Sequence, residues 1–167
     1  MDDAGTAWAA GEEAMAALAP EAGLFARLDP VNLASSLLAV GWRAALNPVA
    51  TSNALWEFGS ALVRIGPDAA GQWSAGRGGE PEPAGKTLMK DKRFADPAWR
   101  ENPVFFAIGQ AYLAAARLAD DLLAAGRGEP TTDAKARLAS DLLLAALAPT
   151  NYLATNPAAL KIGRAHV

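Results

Sequence analysis

The chain has 167 residues and a formal net charge of −3. This acidic balance argues against a nucleic-acid binder, which carries a clustered basic face. The absence of cysteine excludes disulfides, thiolate metal sites and a cysteine nucleophile within the chain, and a single histidine leaves no cluster for a metal ion or a proton relay. We therefore expect no metal and no cofactor.

The sequence also argues against membrane spans and export. Arg, Asp, Glu or Pro interrupts every apolar run before it is long enough to cross a bilayer. The N-terminus, Met1-Asp2-Asp3, is acidic where a signal peptide is basic. These features predict a cytoplasmic protein.

The first part of the chain predicts two helices, each led by proline. Residues 1–28 are Ala-rich and allow only a short helix, from Glu12 to Ala19. Asp29-Pro30 is a cap followed by a first-turn proline, and it predicts a helix with Leu33, Leu37, Val40 and Ala44 on one face. Asn47-Pro48 repeats the signal. We expect the second helix to run to about Ile65, with Leu55, Phe58, Leu62 and Ile65 at helical spacing, and to end at Gly66-Pro67.

A Gly- and Pro-rich stretch divides the chain. Residues 71–90 predict a flexible linker, which separates a helical leader at 1–70 from a helical region at 91–161. The glycines of Gly76-Arg77-Gly78-Gly79 are not a phosphate cradle, because no strand precedes them and no helix with Lys-Ser/Thr follows.

The second part predicts two longer helices and no strand. One runs from Pro103 to Ala125 with a stripe through Phe105, Ile108, Tyr112, Ala115, Ala119 and Leu122. Another is capped at Thr132 or Asp133 and continues to about Leu147. No β-branched residues alternate with polar ones, so the fold class is all-α, with helices packed antiparallel across short loops.

The last six residues form a separate segment. Ile162-Gly163-Arg164-Ala165-His166-Val167 is the translation of ATC GGA AGA GCA CAC GTC, which a common sequencing adapter contains. We expect residues 162–167 to be adapter read-through and to fit no helical period.

Two motifs carry most of the specific information. The entry motif, residues 91–103, reads Asp-Lys-Arg-Phe-Ala-Asp-Pro-Ala-Trp-Arg-Glu-Asn-Pro, and the exit motif, residues 148–157, reads Ala-Pro-Thr-Asn-Tyr-Leu-Ala-Thr-Asn-Pro. Proline pushes the residue before it toward extended geometry, so Asp96 and Asn102 are candidate N-caps before Pro97 and Pro103. Phe94 and Trp99 are large aromatics that need a place to dock.

The two motifs, in this order and separated by a long helix, resemble the N-terminal region of polyhydroxyalkanoate synthases, which polymerise hydroxyacyl-coenzyme A thioesters into storage polyester. The resemblance is carried by about 91–160. Its motif residues are Asp91, Arg93, Phe94, Asp96, Pro97, Trp99, Asn102, Pro103, Pro149, Asn151, Asn156 and Pro157.

The resemblance implies a non-catalytic region. The family's cysteine nucleophile lies on an α/β-hydrolase scaffold, and this chain has no cysteine and no Gly-x-Ser-x-Gly turn. It therefore implies no catalytic residue here, a downstream catalytic domain as partner, a homodimer in the full-length protein, and attachment to the polyester granule. A free-standing helical module that binds a granule or a partner protein is the alternative.

Other polar groups have simple explanations. Asp120 and Asp121 point about a hundred degrees apart on a helix and cannot share a proton, so with Asp141 they predict a solvated face on which Arg117 pairs with Asp120 or Asp121. The basic residues around the entry motif could meet coenzyme A phosphates, but neighbouring carboxylates favour a mixed-charge turn. These basic residues are Lys86, Lys90, Lys92, Arg93 and Arg100.

The aromatic residues leave alternatives open. Phe94 and Trp99 could pack locally or dock on a catalytic domain, and for Trp99 we favour docking because the motif is so polar. Four tryptophans in the leader could line a small core, which we favour, or face a partner helix or lipid-like surface. They are Trp8, Trp42, Trp56 and Trp73.

Overall fold

The computed structural model describes residues 29–75, 88 and 91–165. Six α-helices run through these residues: α1 Pro30–Ala45, α2 Pro48–Ala75, α3 Ala98–Glu101, α4 Pro103–Ala125, α5 Pro130–Ala146 and α6 Pro157–Ala165. Short 3-10 turns at Lys92–Phe94 and Pro149–Asn151 precede α3 and α6. The described residues contain no strand, so the predicted all-α class is confirmed.

Several predictions fall on residues that lie outside this description. They concern the helix at 12–19, the glycines at 76–79, and the side chains of Trp8, Trp73, Lys86 and Lys90. The division of the chain into a leader, a linker and a helical region stays a prediction.

Side-chain caps start the helices, as the Asp/Asn-Pro signals predict. Asp29 Oδ1 accepts from the amides of Val31 and Asn32 at 3.1 and 3.2 Å. The predicted cap of α5, Thr132 or Asp133, is wrong. Glu129 caps this helix, accepting from the amides of Thr131 and Thr132 at 2.8 and 2.6 Å, because α5 begins one turn earlier, at Pro130.

The predicted end of the second helix is also wrong. Helix α2 continues through Pro67 to Ala75. A proline inside a helix removes one backbone hydrogen bond and usually costs about 3 kcal/mol. The extension past Pro67 brings Ala69 into the buried core, and packing along α4 offsets that cost.

The four long helices pack mainly as two pairs. Helix α1 packs mainly against α5, and α2 packs mainly against α4. The predicted buried face of α1 is confirmed, since Val40 and Ala44 are buried. On α2, Leu55 and Leu62 lie at helical spacing and are exposed, and the smaller Ala54 is buried.

The main core lies where α4 meets the entry motif. Its fully buried members are mostly aromatic, and Phe105, Ile108 and Leu113 pack around them. The members are Ala69, Leu88, Phe94, Trp99, Phe106, Tyr112 and Ala148. Phe106 lies outside the predicted α4 stripe, because α4 is covered on more than one side, by α2 and by the entry motif.

The backbone of the last segment differs from the prediction. Helix α6 continues to Ala165, so residues 162–165 are helical, whereas the sequence predicted no helical period there. In the part of the chain that the structure describes, no helix is long and apolar enough to cross a membrane.

Candidate functional site

The entry motif begins with a carboxylate that organises its own turn. Asp91 Oδ1 accepts from the amide of Arg93 at 3.0 Å, and Asp91 Oδ2 accepts from the Arg93 guanidinium at 2.7 Å. The hydrogen bond from the Arg93 side chain holds the pKa of Asp91 below its ordinary value. Asp91 therefore remains ionised and fixes the direction of Arg93.

Arg93 then connects the entry motif to two helices. Its Nη1 donates to the Tyr112 hydroxyl at 2.7 Å, and that hydroxyl donates to the carbonyl of Leu144 at 2.9 Å. The guanidinium carbon also lies 5.2 Å from the centroid of the Tyr112 ring, within the range of a cation–π contact. The chain Asp91–Arg93–Tyr112–Leu144 thus joins the entry motif, α4 and the end of α5.

The two aromatic residues of the entry motif lie inside the chain. Phe94 and Trp99 are each 1% exposed, and their rings meet edge to face with centroids 4.8 Å apart. Phe94 also contacts Tyr112 and Trp99 contacts Phe105, at 5.9 and 5.7 Å between centroids. The favoured docking interpretation of Trp99 is therefore wrong. The polar side chains of Asp91, Asp96 and Asn102 bind backbone amides of the motif and of α4, while the two rings fill the core.

Asp96 and Asn102 start the two helices of the entry motif. Asp96 Oδ1 accepts from the amide of Ala98 at 2.9 Å and from Lys161 Nζ at 2.7 Å. The hydrogen bond from Lys161 lowers the pKa of Asp96. Asn102 Oδ1 accepts from the amide of Val104 at 2.9 Å, ahead of Pro103 at the start of α4. Asp96 therefore also holds α6 against the entry motif.

The exit motif closes over the end of α5. Asn151 Nδ2 donates to the carbonyls of Ala145 and Ala146 at 2.7 and 3.2 Å. Those carbonyls belong to the last turn of α5. The carbonyls of a last turn have no hydrogen-bond donor within their own helix.

The second asparagine of the exit motif, Asn156, binds backbone groups both before and after it in the chain. Asn156 Nδ2 donates to the carbonyl of Thr150 at 2.7 Å, and Asn156 Oδ1 accepts from the amide of Ala158 at 3.0 Å. Pro149 and Pro157 are buried at the starts of the 3-10 turn and of α6. These contacts hold residues 148–157 in one conformation.

The polar side chains of the two motifs that are described above bind backbone groups, Tyr112, Lys161 or one another. Among the described residues, no group of three or more His, Asp or Glu side chains could hold a metal ion. Asp120 pairs with Arg137 of α5 at 3.1 Å, so Arg117 was the wrong partner, and Arg137 also lies 3.7 Å from Asp141.

Sequence reasoning missed the contact that joins α1 to the α4–α5 loop. Arg43 Nε donates to the carbonyl of Gly126 at 2.7 Å, and Arg43 Nη2 pairs with Asp133 Oδ1 at 2.6 Å. Gly126 lies so close to α1 that an added Cβ would be 2.1 Å from the carbonyl oxygen of Val40. Glycine at 126 indicated only a helix end in the sequence. Its role in this contact depends on which helices meet.

Two tryptophans of the leader lie on the surface. Trp42 is 69% exposed on α1 and Trp56 is 76% exposed on α2, so the favoured core interpretation is wrong for both. Arg43 is the only charged residue between Pro30 and Trp56, and its side chain pairs with Asp133. Exposed apolar residues at helical spacing accompany the tryptophans, and we call this surface the α1–α2 face. Its members are Val31, Leu38, Trp42, Val49, Trp56 and Val63.

The fold and its motifs define a small all-α region in which two proline-led motifs close over a buried aromatic cluster. Residues 90–164 match the family described as the N-terminus of poly-beta-hydroxybutyrate polymerase (PhaC). The resemblance to the N-terminal region of polyhydroxyalkanoate synthases is thereby confirmed.

Named relatives agree with the family match. The chain is 38% identical over 87 residues, 52% of its length, to the poly(3-hydroxyalkanoate) polymerase subunit PhaC of Rhizobium etli. It is 34% identical over 106 residues, 60% of its length, to the poly(3-hydroxyalkanoate) polymerase of Methylorubrum extorquens. It is 32% identical over 106 residues, 64% of its length, to the PhaC subunit of Cupriavidus necator.

The extent of these matches matters in two ways. The chain spans only 14–18% of the length of these three relatives. An alignment of 106 residues is longer than the family region 90–164, so the similarity extends toward the N-terminus into α2. No solved structure matches the chain.

Proposed function

We propose that this chain is the N-terminal, non-catalytic part of a polyhydroxyalkanoate polymerase. The observation that carries the proposal is the match of residues 90–164 to the polymerase N-terminus, together with relatives named as poly(3-hydroxyalkanoate) polymerases. In the parent protein, a hydroxyacyl group would move from coenzyme A to an enzyme cysteine and then onto the growing polyester. That chemistry belongs to a downstream catalytic domain, and this region supports that domain.

The geometry of the two motifs supports such a role. Their conformation is set by contacts within the chain, as the chain Asp91–Arg93–Tyr112–Leu144 and the salt bridge between Asp96 and Lys161 illustrate. A region ordered by its own core presents a fixed surface, and a fixed surface loses little conformational entropy when a neighbouring domain packs on it.

The experiment is a replacement in a relative. The segment of the Rhizobium etli polymerase that aligns with this chain is removed, or is replaced by this chain, and each protein is expressed in cells that lack their own polymerase. We expect the shortened protein to accumulate little polyester and the chimera to restore accumulation. A chimera no better than the shortened protein would favour the alternative, a free-standing helical module.

The proposal includes granule attachment through the α1–α2 face. A surface with two exposed tryptophans suits an apolar polymer, and Arg43, the one charged residue from Pro30 to Trp56, is paired with Asp133. Cosedimentation of the chain with poly(3-hydroxybutyrate) particles tests this role. Trp42→Ser with Trp56→Ser should reduce binding at least tenfold, and Val104→Ser, at another exposed apolar position, should not.

Self-association is the remaining part of the proposal. The resemblance implies a homodimer of the full-length polymerase, and sedimentation of the chimera would test it. A chimera that stays monomeric at every concentration and in the presence of substrate would exclude dimerisation.

A further inference from the structure

A second set of exposed apolar residues lies at the C-terminal end of α5 and in the exit motif. We call it the C-terminal patch, and its members are Leu142, Leu143, Leu147, Tyr152 and Leu153. Leu147 is 63% exposed and Leu153 is 69% exposed. The Tyr152 hydroxyl donates to the carbonyl of Ala146 at 3.1 Å, which sets the tyrosine beside the last turn of α5. The loop residues and the helix residues of the patch are therefore neighbours.

The patch continues into a groove between helices. Leu143 and Leu147 line an apolar cavity of about 310 Å³ together with side chains of α1 and α4, among them Leu37, Val40 and Leu122. A cavity of this size can accept one or two apolar side chains from a partner. The patch is thus an exposed apolar area beside an apolar recess, a combination found at the centres of protein interfaces.

The backbone that carries Tyr152 and Leu153 is held on both sides. Asn151 binds the end of α5, Asn156 binds the carbonyl of Thr150, and the Thr155 hydroxyl donates to the carbonyl of Pro149 at 2.6 Å. Binding at such a loop has little ordering cost, because the loop conformation is already fixed. The asparagines of the exit motif therefore set how the chain presents two exposed apolar side chains.

Charged residues of α5 adjoin the C-terminal patch. Arg137 and Asp141 lie beside it on α5, both exposed and paired with each other or with Asp120. An apolar centre with charged or polar residues at its edge is the usual arrangement of a protein–protein interface. An apolar polymer would have to cover these charges without binding them, and burial of unsatisfied charges is costly.

We infer that the C-terminal patch binds the polypeptide that follows this region in the longer polymerases. The inference rests on the proposed function. The chain spans only 14–18% of the length of the relatives, which therefore contain much more polypeptide. Helix α6 begins at Pro157, four residues after Leu153 of the patch. The polypeptide beyond α6 is consequently tethered close to the patch, at an effective concentration on the order of millimolar. Even a small interface would then be occupied.

The test uses the full chain and the Rhizobium etli polymerase that lacks its aligned segment. Binding of the two proteins is measured by calorimetry for the wild-type chain, for Leu147→Ser with Leu153→Ser, and for Val104→Ser as the matched control. We expect the double variant to weaken binding at least tenfold and the control to stay within twofold. Circular dichroism confirms that each variant keeps its helices.

Three results would overturn the inference. One is equal affinity of the double variant and the wild-type chain. Another is a wild-type chain that dimerises through the patch, seen as a dimer that the double variant loses, because the occupant would then be a second copy. The last is a chimera with Leu147→Ser and Leu153→Ser that restores polyester in cells as fully as the wild-type chimera. A chimera that restores nothing would instead count against the proposed function.

Discussion

The rings of Phe94 and Trp99 meet edge to face with their centroids 4.8 Å apart, and both side chains are completely enclosed by the chain that carries them. The entry motif therefore stabilises the region from inside. Asp91 and Asp96 accept hydrogen bonds from backbone amides of the motif and so stabilise the turns that carry the two rings.

Trp99→Ala should destabilise the chain severely. Truncation of a buried Trp or Phe costs about 3–5 kcal/mol, a large part of the total stability of about 5–15 kcal/mol expected for a domain. The matched control is Trp56→Ala, because Trp56 is exposed and surface substitutions usually stay within about 0.5 kcal/mol. Urea unfolding followed by circular dichroism measures both. Equal effects of the two substitutions would show that Trp99 is not in the core.

Tyr112→Phe should cost about 1–2 kcal/mol. The substitution removes the hydroxyl that accepts from Arg93 and donates to the carbonyl of Leu144, and a typical hydrogen bond contributes about 0.5–1.5 kcal/mol. Tyr152→Phe is the control, since its hydroxyl binds the exposed carbonyl of Ala146. If urea unfolding finds the two variants equally stable, Arg93 does not join α4 to α5 in the way described.

Gly126→Ala should separate α1 from the α4–α5 loop. The new methyl group would lie 2.1 Å from the carbonyl oxygen of Val40, so the backbone must move. Overpacking of this kind costs about 1–3 kcal/mol. Gly59→Ala on α2 is the control, because a Cβ at Gly59 meets nothing within 4 Å and should stabilise the helix by about 0.5–1 kcal/mol. A Gly126→Ala variant as stable as Gly59→Ala would mean that α1 does not pack there.

Glu129 should make the start of α5 sensitive to acid. Its hydrogen bonds with the Thr132 side chain and the amides of Thr131 and Thr132 lower the pKa of Glu129 from 4.5 to about 2. A pKa that is lower in the folded state than in the unfolded state adds stability above pH 4.5, and this stability is lost as the pH falls toward 2.

Glu129→Gln tests this assignment. The variant should show a flatter dependence of unfolding free energy on pH between about 4.5 and 2, because the group that titrates is gone. Parallel curves for the variant and the wild-type chain over that interval would contradict the cap.

The helix starts could be predicted from the sequence because their causes are local. Asp29 and Asn102 each stand directly before a proline, and each accepts from amides two and three residues ahead. The family resemblance was equally readable, since it depends on two short motifs in a fixed order.

The interior could not be predicted in the same way. Whether α2 passes Pro67, whether Trp99 faces inward and whether Trp42 faces outward depend on which helices pack together, and the periodicity of a single helix does not contain that information. For the tryptophans of the Ala-rich leader, the sequence favours core positions over a partner-facing or lipid-like surface. Instead, α1 packs on α5 through Val40, Ala44 and other small residues, which leaves Trp42 at the surface.

The central claim, that this region supports a polymerase without itself catalysing the reaction, is tested most directly by the release of coenzyme A from 3-hydroxybutyryl-coenzyme A. The proteins compared are the purified chain, the shortened Rhizobium etli polymerase and the chimera. We predict background release by the chain alone, slow release by the shortened polymerase, and release by the chimera at least tenfold faster than by the shortened form. Turnover by the isolated chain, or a chimera no faster than the shortened polymerase, would contradict the claim.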